Sequence, residues 1–228
     1  MAAEARQGRL TARPSHRPRS HFTAGLEQLR VDGGTGGLLY VPAGVRPERP
    51  APLVLLLHGA GATAQHGLNL LIGQANDAGP VLLALNSQRE TWDLLLGGYG
   101  PDVARMDQAL AETLQRLPVD PACLAIGGFS DGASYAVSLG LTNGDLFSHV
   151  LAFSPGFAAP ARRRGRPRVF VSHGTHDRVL PIDACNRRLV SELRQTGYHV
   201  RYREFDGGHA VPAAIARDAV GWLRSPAA

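Results

Sequence analysis

The sequence predicts an α/β fold: a mostly parallel central sheet flanked by helices, with no cap domain. Three observations predict it. Short apolar runs at 53–57, 81–85 and 169–171 have the length and composition of strands buried on both faces. Longer helical stretches alternate with them, the pattern of right-handed crossovers between parallel strands. At one strand-to-helix junction stands Gly128-Phe129-Ser130-Asp131-Gly132, a sequence suited to a turn so tight that the serine hydroxyl is thrust into the open.

Residues 25–29 and 37–41 read as opening antiparallel strands joined through Asp32-Gly33-Gly34. The first parallel strand follows at 53–57, then a helix at 63–76 and a buried strand at 81–85. The segment 86–100 is a long loop, and long loops in compact domains usually have a use. Helix resumes at 101–117, where Pro101 suits the first turn and Asp102 complements its positive end. Residues 123–127 form the strand beneath the tight turn, and 133–139 the helical stretch after it. Further strands are expected at 149–153, 168–173 and 199–205, and helices at 184–196 and 213–224. Too little chain separates Phe153 from Arg168 for an inserted helical cap, so the pocket should be open. Ligand-binding groups in such sheets gather at the carboxyl ends of the strands.

A chain of 228 residues fits one domain of this class. Residues 22–228 are expected to form it, and the Arg/Pro-rich residues 1–21 to be a disordered tail. No apolar run approaches the roughly 18 residues of a membrane span. The formal net charge is +5, but five arginines against Glu4 in residues 1–21 supply +4 of it. Arg162, Arg163, Arg164, Arg166 and Arg168 add another +5 from one loop, which leaves the rest of the body at −4. A nucleic-acid partner would require a basic face on the folded body, so none is expected. The N-terminus lacks the apolar core of a secretory signal. Cys123 and Cys185 are too few for a zinc site or disulfide framework and read as reduced thiols of a cytoplasmic protein. Oligomeric state leaves no mark in the sequence.

A serine hydroxyl is a poor nucleophile until a base removes its proton. Ser130 is the candidate nucleophile. His209, in the turn Asp206-Gly207-Gly208-His209 after the last strand, is the candidate base. Asp177, which follows the strand at 168–173, would hold the imidazole in the right tautomer and stabilise the imidazolium; Asp183 and Asp206 compete for that role. The chain order Ser, Asp, His differs from the orders of chymotrypsin and subtilisin. A tetrahedral intermediate needs preformed donors, each worth about 3 to 4 kcal/mol. The backbone N–H groups of Ala60, in the turn His58-Gly59-Ala60-Gly61, and of Asp131 are the candidates, with His58 shaping the turn. The Asp131 carboxylate should point away from the oxyanion, towards the helix N-terminus. Trp92, Leu94, Leu95 and Leu96 from the long loop, with Phe157 and Val179, are candidate walls of an acyl pocket, and ordinary core packing is the competing role for each. His173-x-x-His176-Asp177 could suggest a metal, but neither His-x-His-x-Asp-His nor His-Glu-x-x-His occurs. No metal and no cofactor are expected.

Together the segments LLLHGAGA, GGFSDGAS, SHGTHDRVLP and FDGGHAVP resemble the small lidless α/β-hydrolases of the phospholipase/carboxylesterase and dienelactone-hydrolase-like group, with kinship to polyhydroxybutyrate-depolymerase-like esterases. The resemblance runs from about residue 53 to 223. It implies an α/β-hydrolase fold, the triad Ser130, Asp177 and His209, and Ala60 and Asp131 as oxyanion donors. It also implies a small-molecule ester as substrate, of short to medium acyl chain. Dienelactone hydrolases use a cysteine nucleophile, which Ser130 argues against, and acyl-protein thioesterases carry glutamine where this chain has Asp131. Rival expectations are a lysophospholipase or acyl-thioesterase and, from another class, a noncatalytic binding protein on the same fold.

Overall fold

The computed structural model describes residues 2–15, 22–31, 34–75 and 79–225. Its strands are β1 (Gly25–Val31), β2 (Gly34–Val41), β3 (Ala51–Leu57), β4 (Val81–Leu85), β5 (Val119–Phe129), β6 (His149–Phe153), β7 (Arg168–Gly174) and β8 (Val200–Phe205). They form one sheet in the order β1-β2-β4-β3-β5-β6-β7-β8. The β1–β2 and β2–β4 pairs are antiparallel, and every other pair is parallel. At the centre Leu55 pairs with Leu83 on one side and Ile126 on the other.

Helices cover both faces, which is why β4 and β6 are buried throughout and apolar but for His149. The helices are α1 (Ala2–Ala5), α2 (Ala64–Asn69), α3 (Asp93–Leu96), α4 (Pro101–Arg116), α5 (Asp131–Thr142), α6 (Arg188–Gln195) and α7 (Ala213–Leu223). One core gathers side chains of α4, α5 and α6, including Leu110, Val137 and Leu193. The other gathers α2 and α7 through Leu68, Ile215 and Trp222. The edge strand β8 is only half buried, and it is charged: Arg201 and Arg203 both reach Asp218 of α7. Such charges protect an edge from pairing with another chain.

Several expected boundaries shift. The helix expected over 63–76 stops at Asn69 and resumes as a 3-10 turn at Ile72–Gln74, where Gly73 weakens helical continuity; Asn76 lies outside the described residues, as do 32 and 33 of the expected hairpin turn. β5 begins at Val119 instead of 123, and a register shift between Ala51 and Leu53 of β3 absorbs the extra length. The helix expected from 184 opens with a π-helical turn over Asp183–Arg187, which carries Asn186 into the interior. No cap interrupts the 154–167 loop, which has no helix.

The disordered tail expected over 1–21 is not what residues 2–15 form. Leu10 and Ala12 are buried. Asn143, at the end of α5, accepts from Leu10 N–H at 2.9 Å and donates to the Gly8 carbonyl at 2.7 Å. Arg9 grips Asp145 with two contacts of 2.8 Å and holds that carboxyl down at about 2. Asp107 of α4 accepts the backbone N–H groups of Thr11 and Ala12. Composition misled because these arginines and backbone donors have specific partners far away in sequence. Residues 16–21 lie outside the described ones.

His149, at the start of β6, sits edge-on to Trp222 with ring centroids 5.3 Å apart. Burial, with Arg168 adding to it, pushes its pKa down to about 4. The unfolded chain, with an ordinary histidine pKa near 6.5, takes up a proton that the folded chain refuses. Stability present above pH 6.5 is therefore lost as pH falls towards 4, by roughly 2 kcal/mol at pH 5 from this residue. Urea denaturation across pH 7 to 5 should show the loss, and His149→Gln should flatten it. An identical slope in the variant would exclude His149 as a source.

Candidate active site

β5 ends at Phe129 and α5 begins at Asp131, so Ser130 alone makes the turn, with φ 57° and ψ −119°. That left-handed conformation costs a serine on the order of 1 kcal/mol or more, and is kept where the surroundings enforce it. The flanking glycines enforce it by close approach. A Cβ at Gly128 would lie 2.5 Å from the Gly132 carbonyl carbon, and one at Gly132 would run into the carbonyl oxygens of Leu57 and His58. The backbone N–H of Ser130 is tied to the Phe153 carbonyl of β6 at 3.0 Å.

Two other strand ends deliver the remaining groups. Beyond β7, Thr175 N–H and His176 N–H bond the carbonyls of Phe205 and Gly207, both at 2.9 Å. Gly174 packs so tightly on the Gly207-Gly208 backbone that no side chain fits there. These contacts lock the turn after β7 to the turn after β8. Asp177 and His209 are thereby brought together: Asp177 Oδ2 lies 2.6 Å from His209 Nδ1, and His209 Nε2 lies 2.9 Å from Ser130 Oγ. The Asp177 side chain is fully buried and that of His209 partly exposed. Phe129 packs on the imidazole, ring centroids 4.6 Å apart.

Asp177 Oδ1 accepts backbone N–H groups from Val179 and Leu180, each at 2.9 Å. Burial pushes this carboxyl up, but the N–H of Leu180, His209 and the N–H of Val179 together outweigh burial and hold it below the usual carboxylate range. It is therefore ionised at neutral pH. The competing acids are engaged elsewhere, Asp206 with His176 at 3.0 Å on the exposed surface and Asp183 with Arg187 at 2.8 Å. Among the described residues no cluster of three or more His, Cys, Asp or Glu could hold a metal ion.

The turn after β3 leans on Ser130: a Cβ at Gly59 would sit 3.4 Å from Ser130 Cβ. Ala60 is exposed there, and neither its N–H nor that of Asp131 has a protein acceptor among the described residues. His58 is buried and bonds the Gly59 carbonyl through Nδ1 at 2.7 Å while Nε2 accepts Ser87 N–H at 3.1 Å. Burial pushes its pKa down, so it is a neutral prop for the turn. The Asp131 carboxylate is turned onto Thr91, whose hydroxyl donates to Oδ2 at 2.7 Å. Asp131→Asn keeps an acceptor for Thr91 and is expected to change kcat by less than tenfold. A rise of tenfold or more would show that the charge opposes the reaction.

The expected pocket wall needs correction. Trp92 is buried in the core, where its indole N–H donates to the His58 carbonyl at 2.9 Å and its ring stacks on Tyr135. It supports the turn after β3 from beneath. Leu94 and Leu95 also pack on the core. Their backbone is fixed by a pair of acids: Asp93 and Asp102 each accept the other's N–H, at 2.9 and 2.8 Å. Leu96, Phe157 and Val179 remain exposed. Leu96 lines a cavity of about 410 Å³ together with Arg89, Thr91 and Gly97, next to the elbow through Thr91. A larger cavity, about 520 Å³, lies at the amino-terminal ends of β3 and β5 between Arg49, Asp120 and Cys123, and no triad residue lines it. Sequence reasoning missed Thr91, for which no signal existed, and the partners of His173, whose spacing suggested only a metal.

No family model matches the sequence, and no curated protein matches it. Solved structures do match. Esterase PE8 aligns with a TM-score of 0.63 at 22% identity, over 88% of this chain and 99% of its own. TT1662 from Thermus thermophilus gives 0.64 at 24%, over 90% and 100%. A phospholipase/carboxylesterase from Dyadobacter fermentans gives 0.60 at 17%, over 91% and 100%. The chain shares the α/β-hydrolase fold with these proteins.

Proposed function

We propose that the protein is a serine carboxylic-ester hydrolase, acting on short to medium acyl esters through an acyl-serine intermediate and needing no cofactor. The observation that carries the reading is the continuous relay from Asp177 through His209 to Ser130 on a strained elbow. His209 Nε2 takes the Ser130 proton as Oγ attacks the acyl carbon, and Asp177 stabilises the imidazolium. The N–H groups of Ala60 and Asp131 receive the oxyanion. His209 then returns its proton to the leaving alcohol, and a water activated by the same nitrogen releases the acid. A protonated His209 could not take the serine proton, so kcat/KM should show an acid limb.

The exposed Phe157 and Val179 form an apolar rim for the acyl group, since Gly156 abuts Leu180: a Cβ there would lie 3.4 Å from Leu180 Cδ2. A small-molecule substrate needs no membrane insertion, and no helix among the described residues is long and apolar enough to cross a bilayer. The unpaired Cys123 and Cys185 suit a cytoplasmic setting. A chain-length series of p-nitrophenyl esters from acetate to palmitate, with lysolipid and acyl-CoA alongside, tests the reaction class and pocket depth together. Preference for lysolipid or thioester would replace the carboxylesterase reading. Failure of a fluorophosphonate to label Ser130 would leave only a binding protein.

A further inference from the structure

His173 has no part in the relay, yet its side chain is completely buried against Asp177. Its Nε2 lies 2.7 Å from the Leu180 carbonyl oxygen and 3.1 Å from Asp177 Oδ2. Both are acceptors, so Nε2 must carry a proton. On the other side, Nδ1 meets the side-chain amide of Asn186 at 2.5 Å. Burial pushes the imidazole's pKa down, so it is neutral; Nδ1 then offers a lone pair, and Asn186 must present its amino group. That orientation leaves the buried Asn186 Oδ1 without a partner among the described residues. An uncompensated buried oxygen costs stability, and it is tolerated where the amide's other end is needed. The π-helical turn is what swings Asn186 inward, and such turns often serve functional sites.

We propose that His173 is a positioning residue of the catalytic relay: held as the Nε2-protonated neutral tautomer by Asn186, it clamps the same Asp177 oxygen that His209 contacts and limits how strongly that carboxylate pulls on the catalytic imidazole. The inference rests on the serine-hydrolase reading. Asp177 Oδ2 is shared between two imidazoles, so part of its charge is spent on the His173 N–H. The titratable groups facing His173 are Asp177, His209 and Glu204 of β8, and Glu204 is paired with Arg187 at 2.7 Å. Cys185 of the π-helical turn faces Asp177 as a neutral thiol, its pKa pushed up by burial.

Three variants test the clamp through the pKa of His209, read both from the acid limb of kcat/KM and from NMR titration of its ring nitrogens. His173→Leu removes the donor, so the full carboxylate charge falls on His209, whose pKa should rise by about half a unit or more. His173→Gln restores an N–H near the Nε2 position and should bring the pKa back to within about 0.2 unit of the native value. Asn186→Asp puts a carboxylate on Nδ1 and converts His173 to a cation beside Asp177, so the His209 pKa should fall. Opposite displacements in the first and third variants, with kcat reduced and KM little changed, support the proposal. A folded His173→Leu with a native His209 pKa overturns it, as does a His173→Gln protein displaced as far as His173→Leu. Should His173→Leu fail to fold, Asn186→Asp decides: a fall supports the clamp and an unchanged value overturns it. The NMR readout keeps the two hypotheses separate, because an inactive native protein sinks the esterase reading while the pKa pattern still reports on the clamp.

Discussion

Ser130→Ala is expected to lower kcat on p-nitrophenyl acetate by about 10⁵- to 10⁶-fold while leaving the fold intact. The magnitude follows from how the elbow is built. Ser130 is the one residue between β5 and α5, its hydroxyl 2.9 Å from His209 Nε2, and an alanine offers no atom to attack the acyl carbon. The proposed oxyanion donors and His209 would remain, so a residual rate of roughly 10³-fold over water is expected. Alanine can occupy the same backbone conformation, and the thermal midpoint should move by only a few degrees. Steady-state kinetics with circular dichroism as the fold control checks both. A variant within tenfold of the native rate would mean that another group is the nucleophile.

Asp177→Asn is expected to cost about 10⁴-fold in kcat, for a reason visible in the hydrogen bonds. Val179 and Leu180 both donate to Oδ1, so an asparagine must place its carbonyl oxygen there and its amino group at the Oδ2 position. That amino group would face His209 Nδ1 and force it to accept, which leaves the proton on Nε2, pointing at Ser130. The base is then blocked. It would also confront the N–H of His173, so some stability should be lost as well. A pH-rate profile paired with thermal melting separates the two effects. A loss smaller than tenfold would transfer the role to another acid, although Asp183 and Asp206 are held on other partners.

Much of this architecture was legible in the chain because the central strands β3 and β4 are short runs without polar interruptions, and several strand ends carry the motifs. That Ser130, Asp177 and His209 would come together could be read from local context, since a strand end positions its next few residues. The roles of Trp92 and Leu94 could not. Their apolarity is equally compatible with a pocket wall and a core, and bonds such as the reciprocal Asp93–Asp102 pair and Trp92 to the His58 carbonyl decide which way that loop folds. The π-helical turn at Asp183–Arg187 has no sequence period that announces it. The docking of residues 2–15 depends on partners more than ninety residues away, such as Asp107 and Asn143, which composition does not register.

That docking changes how the first fifteen residues should be treated by anyone trimming the protein. Leu10 and Ala12 shield apolar surface on α4 and α5, and Gly8 and Leu10 satisfy an Asn143 side chain that no water reaches. α5 runs from Thr142, which Asn143 follows, back to the residue after Ser130. A truncation of this segment would loosen the far end of the rod on whose near end Ser130 is mounted.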